Sequence, residues 1–266
     1  MDDFSLMSVN LRFGRAQDGP DSWENRKHLL ARFLELHPAD FVCVQEANDF
    51  QADFLSSLLP GHAALGQREN APAFWQDNII FHSRRFFLDS WDRFHLSHVP
   101  DLVSRFAESK WPRQCTLGRF TLGGRSLVVG DTHLDFTEAV REASARLILS
   151  RLARLPVSDP VVLAGDFNAP PGSSCYNLFV STAPEAGGAP PFSDPFDESF
   201  GPTHHRFTGT PDPKTGRIDW ILYRGPVTCT RREILHDSFE GRYPSDHFPV
   251  YAEFVFSQEG GRKEEG

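Results

Sequence analysis

Apolar positions along the chain fall into short runs, most of them closed by a polar residue. Residues 4–11 read as a strand. Residues 41–44 read as a second one, of the continuously apolar type buried on both faces, ending in Gln45 and Glu46. Between them Ser22 stands as the N-cap of a helix carrying Leu29, Leu30, Phe33 and Leu34 on one face until Pro38 stops it. The first unit is therefore strand, helix, strand. Further strands are predicted at 78–82, 116–121, 126–132, 160–164, 218–223 and 250–256. One long helix is predicted at 138–155, where Val140, Ala143, Leu147, Leu152 and Leu155 recur at helical spacing. Many strands and few helices predict packed sheets with helices outside. Phe86, Phe87, Trp91, Phe94 and Phe106 read as core rather than as a base-stacking platform. Residues 183–202, rich in Pro, Gly, Ser and Asp, read as one long surface loop, and 258–266 as a frayed tail. No Pro/Gly linker separates two halves, so one catalytic domain over residues 1–257 is expected.

Composition narrows the class. The chain is 39% hydrophobic and 24% charged, values that exclude disorder and collagen and suit a globular core. No apolar run approaches the roughly 18 to 20 residues that span a bilayer. The segment Met1 to Phe4 lacks the basic and apolar regions of a signal peptide, so a cytoplasmic location is expected. Cys43, Cys115, Cys175 and Cys229 are far apart, without zinc-site spacing, and read as reduced thiols. A net charge of -9 argues against holding nucleic acid by a broad basic surface. A local site remains compatible with it, because carboxylates that hold a metal are themselves negative and most of the 27 basic residues are arginine, suited to bidentate phosphate contacts.

The chemical signal lies at the ends of the apolar runs: Asn10, Glu46, His133, Asp166 with Asn168, Asp219, and Asp246 with His247. A carboxylate or imidazole beside a buried run has to be solvated, paired or metal-bound. Edges of packed sheets are where separate segments converge on one pocket. Singly, each has a plainer reading. Asn10 and Glu46 mark strands emerging into water, His133 bonds a backbone group, Asp166 and Asn168 belong to a turn, and Asp246 caps a turn after Ser245. Asp219 resists such a reading, since a charge in an otherwise apolar strand needs a partner.

Six segments occur in an order that resembles the endonuclease/exonuclease/phosphatase superfamily: Val9-Asn10-Leu11-Arg12, Val44-Gln45-Glu46, Thr132-His133-Leu134-Asp135, Gly165-Asp166-Phe167-Asn168, Arg217-Ile218-Asp219-Trp220-Ile221 and Ser245-Asp246-His247-Phe248-Pro249. The resemblance implies an α/β (α+β) four-layer sandwich, two mixed sheets flanked by helices with the site at one end. It also implies a metal-dependent phosphoester hydrolase. Glu46 is then the chief metal ligand with Asn10 and Asp246 nearby, and oxygen ligands favour Mg²⁺, with Mn²⁺ as substitute. Asp166 orients or deprotonates the attacking water, Asn168 holds that water or a phosphate oxygen, and His247 pairs with Asp219. Either Asp166 or His247 serves as base. His133 contacts the phosphate or protonates the leaving group. Arg113 and Asn78 are assigned to substrate binding, although a surface arginine is the default reading at 113.

The chain departs from that pattern at two places. Gln76 replaces a glutamate of close bacterial relatives, with Asp77 beside it as a compensating carboxylate. Asp131 replaces the usual asparagine before Thr132-His133, adding negative charge near the site and leaving the partner of His133 open. His204 and His205 are ambiguous. The expected partner is a phosphoester substrate, with nucleic acid among the candidates, and no obligate protein partner is evident. The competing class is a binding module that kept the fold and lost catalysis. Retention of seven reactive groups, Glu46, His133, Asp166, Asn168, Asp219, Asp246 and His247, argues against it.

Overall fold

In the computed structural model, which describes residues 3–181, 189–197 and 199–257, the predicted strands form two sheets stacked face to face. The chain runs β1 (Asp3–Asn10), α1 (Trp23–Leu36), β2 (Phe41–Ala47), α2 (Asp49–Leu58), β3 (His62–Leu65), β4 (Asp77–Ser83), β5 (Phe87–His95), β6 (Gln114–Leu122) and β7 (Arg125–His133). It continues with α3 (Glu138–Leu152), β8 (Val161–Asp166), α4 (Ser174–Val180), β9 (Asp219–Arg224), β10 (Val227–Ile234) and β11 (Val250–Phe256). One sheet has the order β10-β11-β1-β2-β4-β3, the other β5-β6-β7-β8-β9.

Period-two alternation divides the apolar residues among three layers. Phe4 and Leu6 of β1 join Phe41, Cys43, Ile80, Phe120, Val129, Val162 and Phe254 between the sheets. Met7 and Val9, on the opposite face of β1, meet Leu29, Leu30, Phe33 and Leu34 of α1 and Ala52 and Leu55 of α2. Across the molecule, Leu117, Val128, Leu163 and Leu222 receive Ala145, Ile148 and Leu152 of α3 and Phe179 of α4. Both faces of each central strand are thus covered, which is why those strands are continuously apolar. Helix α3 lies on its sheet through Val140, Ser144, Ala145, Ile148 and Leu152 and stops before Leu155. Its buried stripe is rotated from the predicted one, and Ala143 is only half-buried.

Several elements depart from expectation. Of the five aromatics read as core, Phe86, Phe94 and Phe106 are buried, but Phe87 and Trp91 are exposed in the outer part of edge strand β5, of which only the last two residues, Phe94 and His95, are buried. The stretch 183–202 is not wholly a surface loop. Within it Phe192 and Phe196 are buried, and Ser193 exchanges backbone hydrogen bonds with Tyr223 at 2.7 and 2.9 Å. The predicted tail, 258–266, lies outside the described residues. No helix among those described is long and apolar enough to cross a membrane.

Topology fixes where the site forms. β1 and β2 pair in parallel with α1 between them, and β7 and β8 pair in parallel with α3 between them. The carboxyl ends of all four strands therefore emerge at one end, the usual place for a ligand crevice in such sheets. β9 runs antiparallel to β8 and β11 antiparallel to β1, so their amino ends arrive there too.

Candidate active site

Asn10, Glu46, His133, Asp166, Asp219, Asp246 and His247 all sit at this end, each at the terminus of a strand or just outside it. The centre is Asp166. Gly165 before it has φ +143°, and a Cβ there would overlap the carbonyl of Thr132 on neighbouring β7, so only glycine lets the strands close this tightly. Oδ1 of Asp166 accepts the N–H of Asn168 at 2.9 Å, and Oδ2 accepts Nδ2 of Asn10 at 2.9 Å, a bond that joins the two sheets. Asn168 also donates from Nδ2 to the Leu134 carbonyl at 2.9 Å.

Asp219 lies directly opposite Asp166 in the β8–β9 register. Two carboxylates so placed repel, and His247 intervenes: Nδ1–H donates to Asp219 Oδ2 at 2.9 Å while Nε2 lies 4.0 Å from Asp166 Oδ2. Burial alone would lower the pKa of His247. The charges of Asp219, Asp166 and Asp246 and the Asp219 hydrogen bond outweigh it and raise the value to about 10. Burial and Asp219 in turn push Asp166 up to about 7.

His133 has a different partner. Its Nδ1 lies 2.9 Å from Nη1 of Arg113, and a guanidinium can only donate, so Nδ1 is the acceptor and the ring proton is on Nε2. That Nε2 is buried, without a hydrogen-bond partner, and 3.4 Å from Asp166 Oδ2. Burial, with the Arg113 and His247 charges, holds the His133 pKa well below its ordinary value, in keeping with a neutral ring. Arg113 is itself buried, contrary to the surface default.

Glu46 lies at an irregularity between Val44 and Ala47 in β2, where its φ of +61° is in the left-handed region. Arg12 (φ +57°) and Asn168 (φ +49°) share that conformation, so backbone strain of roughly 1 kcal/mol or more per residue gathers at the site. The carboxylate of Glu46 accepts the Phe13 N–H at 2.6 Å and Asn10 Nδ2 at 3.3 Å, and it lines an open cleft of about 590 Å³. Asp246 lies beyond Asn10, whose carbonyl accepts the Ser245 hydroxyl at 2.5 Å. Burial would raise the Asp246 pKa, but His204, His247 and Arg12 drive it far below the usual range, and Arg12 Nε is 3.7 Å away.

Two groups of side chains are close enough to share a metal ion, His204–Asp246–His247 and Asp166–Asp219–His247. In both, His247 would have to ligate as a neutral ring, and in the second its Nδ1 already lies 2.9 Å from Asp219 Oδ2. Glu46 offers carboxylate oxygens beside the open cleft, as a hard divalent cation prefers, whereas Asn10 turns Oδ1 to the Arg12 N–H at 2.8 Å and Nδ2 to Asp166 and Glu46.

Three sequence expectations need correction. Asn78 does not reach the cleft; its side chain donates to Asp131 at 3.4 Å between the sheets. Asp131 also accepts Gln45 Nε2 at 2.6 Å, and full burial pushes its pKa well above normal, so its carboxyl is engaged between the sheets rather than turned to the cleft. Asp77 is occupied by Trp75 Nε1, Gln114 Nε2 and the Arg68 N–H at 2.8, 3.0 and 3.0 Å and compensates for nothing at the site. Gln76, by contrast, lines the cleft.

Of the two ambiguous histidines, His204 stands beside His247, its ring 4.7 Å away and its Nε2 3.7 Å from Asp246. His205 is buried, stacked on Phe248 at 4.0 Å. Arg12 and His204 are the site neighbours that strand-end reasoning missed. The position of Arg12, two residues after Asn10, is the available signal.

Comparison with known proteins bears on the same residues. The sequence pattern described as Endonuclease/Exonuclease/phosphatase family matches residues 7–247. A Bacteroides thetaiotaomicron protein described as an endonuclease/exonuclease/phosphatase family protein superposes with TM-score 0.86 at 26% identity, over 96% of this chain and 98% of that one. The mannosyl-6-phosphatase of the same organism superposes with TM-score 0.85 at 27% identity, over 95% and 100%. Nocturnin of Rattus norvegicus is 27% identical over 263 residues, which cover 89% of this chain and 60% of nocturnin's length. With the four-layer arrangement and most of the chain matched, the chain belongs to the endonuclease/exonuclease/phosphatase family.

Proposed function

We propose that the chain hydrolyses a phosphoester with the help of a divalent cation, water attacking phosphorus at the carboxyl ends of β1, β2, β7 and β8. Membership of a family of phosphoester hydrolases supports the reaction class, as does similarity to a phosphatase. The observation that carries the reading is the unpartnered, buried Nε2–H of His133, 3.4 Å from Asp166 and opposite the Nε2 of His247. A donor without a partner at a protein's centre is costly unless a ligand oxygen takes it.

The residues divide the work. Asp166, oriented by Asn10 and by the Asn168 backbone, positions the attacking water and accepts its proton. His247, fixed by Asp219, presents positive charge to the phosphoryl oxygens. His133, fixed by Arg113, donates from Nε2 to a phosphoryl or leaving oxygen. Asn168 braces Asp166 through its backbone N–H, while its Nδ2 donates to the Leu134 carbonyl rather than to a water or phosphate oxygen. Glu46 would hold the cation, with Asn10 and Asp246 beside it, and when bound the cation supplies charge neutralisation. A panel of phosphoesters that includes mono- and diesters, assayed with Mg²⁺, with Mn²⁺ and with chelator, tests the reading. Cation-dependent release of alcohol or phosphate is expected, and a purified protein inert toward the whole panel overturns it.

A further inference from the structure

We propose that Arg26, a residue of α1 outside the cleft, is a positioning residue that aims the Asn10 carboxamide at Asp166 and Glu46. The proposal rests on the phosphoesterase reading for the work those two carboxylates do, and adds the part that holds them in aim.

A cation stands in the apolar stripe of a helix. Trp23, Arg26, Leu30 and Phe33 follow one another at helical spacing on α1 and all are buried, Arg26 completely. Burial pulls the Arg26 pKa down to about 10, which leaves the guanidinium charged at neutral pH. A buried charge is costly unless its donors are used. Here backbone carbonyls from three separate stretches of chain meet it: Nε donates to Asp21 at 3.0 Å, Nη1 to Pro244 at 2.9 Å and Nη2 to Arg12 at 3.0 Å. The planar fork suits three divergent acceptors, and the Trp23 ring flanks it with its centroid 5.2 Å from Cζ.

Two of the three carbonyls belong to chain that holds Asn10. Arg12 sits at φ +57°, a conformation that a residue other than glycine keeps only under restraint. From there its N–H donates to Asn10 Oδ1 at 2.8 Å. Pro244 precedes Ser245, whose hydroxyl donates to the Asn10 carbonyl at 2.5 Å. With Oδ1 taken, the carboxamide has one orientation, and its Nδ2 points to Asp166 Oδ2 at 2.9 Å and to Glu46 Oε1 at 3.3 Å. The Phe13 N–H, next along the clamped chain, holds the other Glu46 oxygen at 2.6 Å. Gln51 Nε2 shares the Arg12 carbonyl at 3.2 Å, and Arg26 is the residue that joins that carbonyl to Pro244. One guanidinium therefore fixes Asn10 through both its side chain and its backbone.

The test uses Arg26→Lys, which keeps a cation of similar reach but replaces three divergent donors by one nitrogen. On the best ester of the panel at saturating Mg²⁺, kcat should fall on the order of 10-fold with KM within about two-fold. In an Asn10→Ala background the same change should cost under about two-fold, because residues that act through one another are not additive. A second readout needs no turnover. In protein labelled with ¹⁵N-asparagine, the Asn10 carboxamide, identified by its loss in Asn10→Ala, should shift in Arg26→Lys and exchange faster with solvent. A lower melting temperature with kcat and that resonance unmoved makes Arg26 a structural residue only and overturns the proposal, as do additive losses in the cycle. If Arg26→Lys does not fold, Ser245→Ala cuts one route from the clamped chain to Asn10, and a carboxamide resonance unmoved there overturns it equally. A wild-type protein inert toward every ester removes the reaction, while the resonance still decides the role of Arg26.

Discussion

His247 places Nδ1 2.9 Å from Oδ2 of Asp219, so one imidazole is clamped by a carboxylate that faces Asp166 across paired strands. Asp219→Asn removes the charge that holds the ring positive. His247→Ala should lower turnover by about 100-fold or more, yet cost much less when Asp219 is already Asn, with a coupling of about 1–3 kcal/mol. The four-corner cycle on one substrate, with the His247 ring followed by NMR titration, measures this. Additive losses and an unmoved titration would falsify the pairing.

Arg113 fixes His133 through Nδ1. Arg113→Met leaves Nδ1 without a donor and removes a positive charge, so the ring should populate both tautomers and its pKa should rise. Nitrogen-15 NMR of labelled histidine reads the tautomer directly, and turnover should fall about 10-fold. A ring that stays purely Nε2–H at unchanged turnover would show that Arg113 does not act through His133.

Glu46→Gln keeps the shape of the side chain but not the charge that a hard cation prefers. Apparent Mg²⁺ affinity from activity titration should fall by about 10-fold or more, while the thermal melt without metal stays close to wild type. Identical titration curves for the two proteins contradict the assignment of Glu46.

Asp131 yields a prediction about stability rather than turnover. Its folded pKa lies well above the unfolded value of about 3.9, so its contribution is complete below about pH 4 and is lost as pH climbs toward the folded pKa. Asp131→Asn keeps the size and the Gln45 and Asn78 neighbours and does not titrate. The melting temperature of the variant relative to wild type should therefore increase between pH 5 and pH 8. A difference that is flat or shrinks over that range means the carboxyl is ionised in the folded state.

The candidate site was legible because its residues interrupt apolar runs, and topology then brings those interruptions to one end. Where a residue aims was not legible. Asp131 and His133 are two apart on one strand, yet Asp131 turns to Gln45 and His133 to Arg113. The edge strands β5 and β10 escaped notice because they are exposed over much of their length and carry polar residues throughout. Helix α2 buries few side chains. Its signal was instead the reciprocal cap between Asn48 and Gln51, a local hydrogen-bond pattern that hydrophobic periodicity does not register.

The Asn10–Asp166 bond has a mechanical consequence. It ties the ends of strands that belong to different sheets, and stacked sheets keep their spacing only through the side chains packed between them, at roughly 10 Å. The reactive carboxylate thus works as a caliper on the thickness of the hydrophobic layer. Thinning that layer at Phe120 or thickening it at Ala164, both buried in it, should misalign Asp166 at temperatures where the chain is still folded. Heating such variants should silence catalysis several degrees before the melt, whereas substitutions under α1, outside the caliper's jaws, should lose both together.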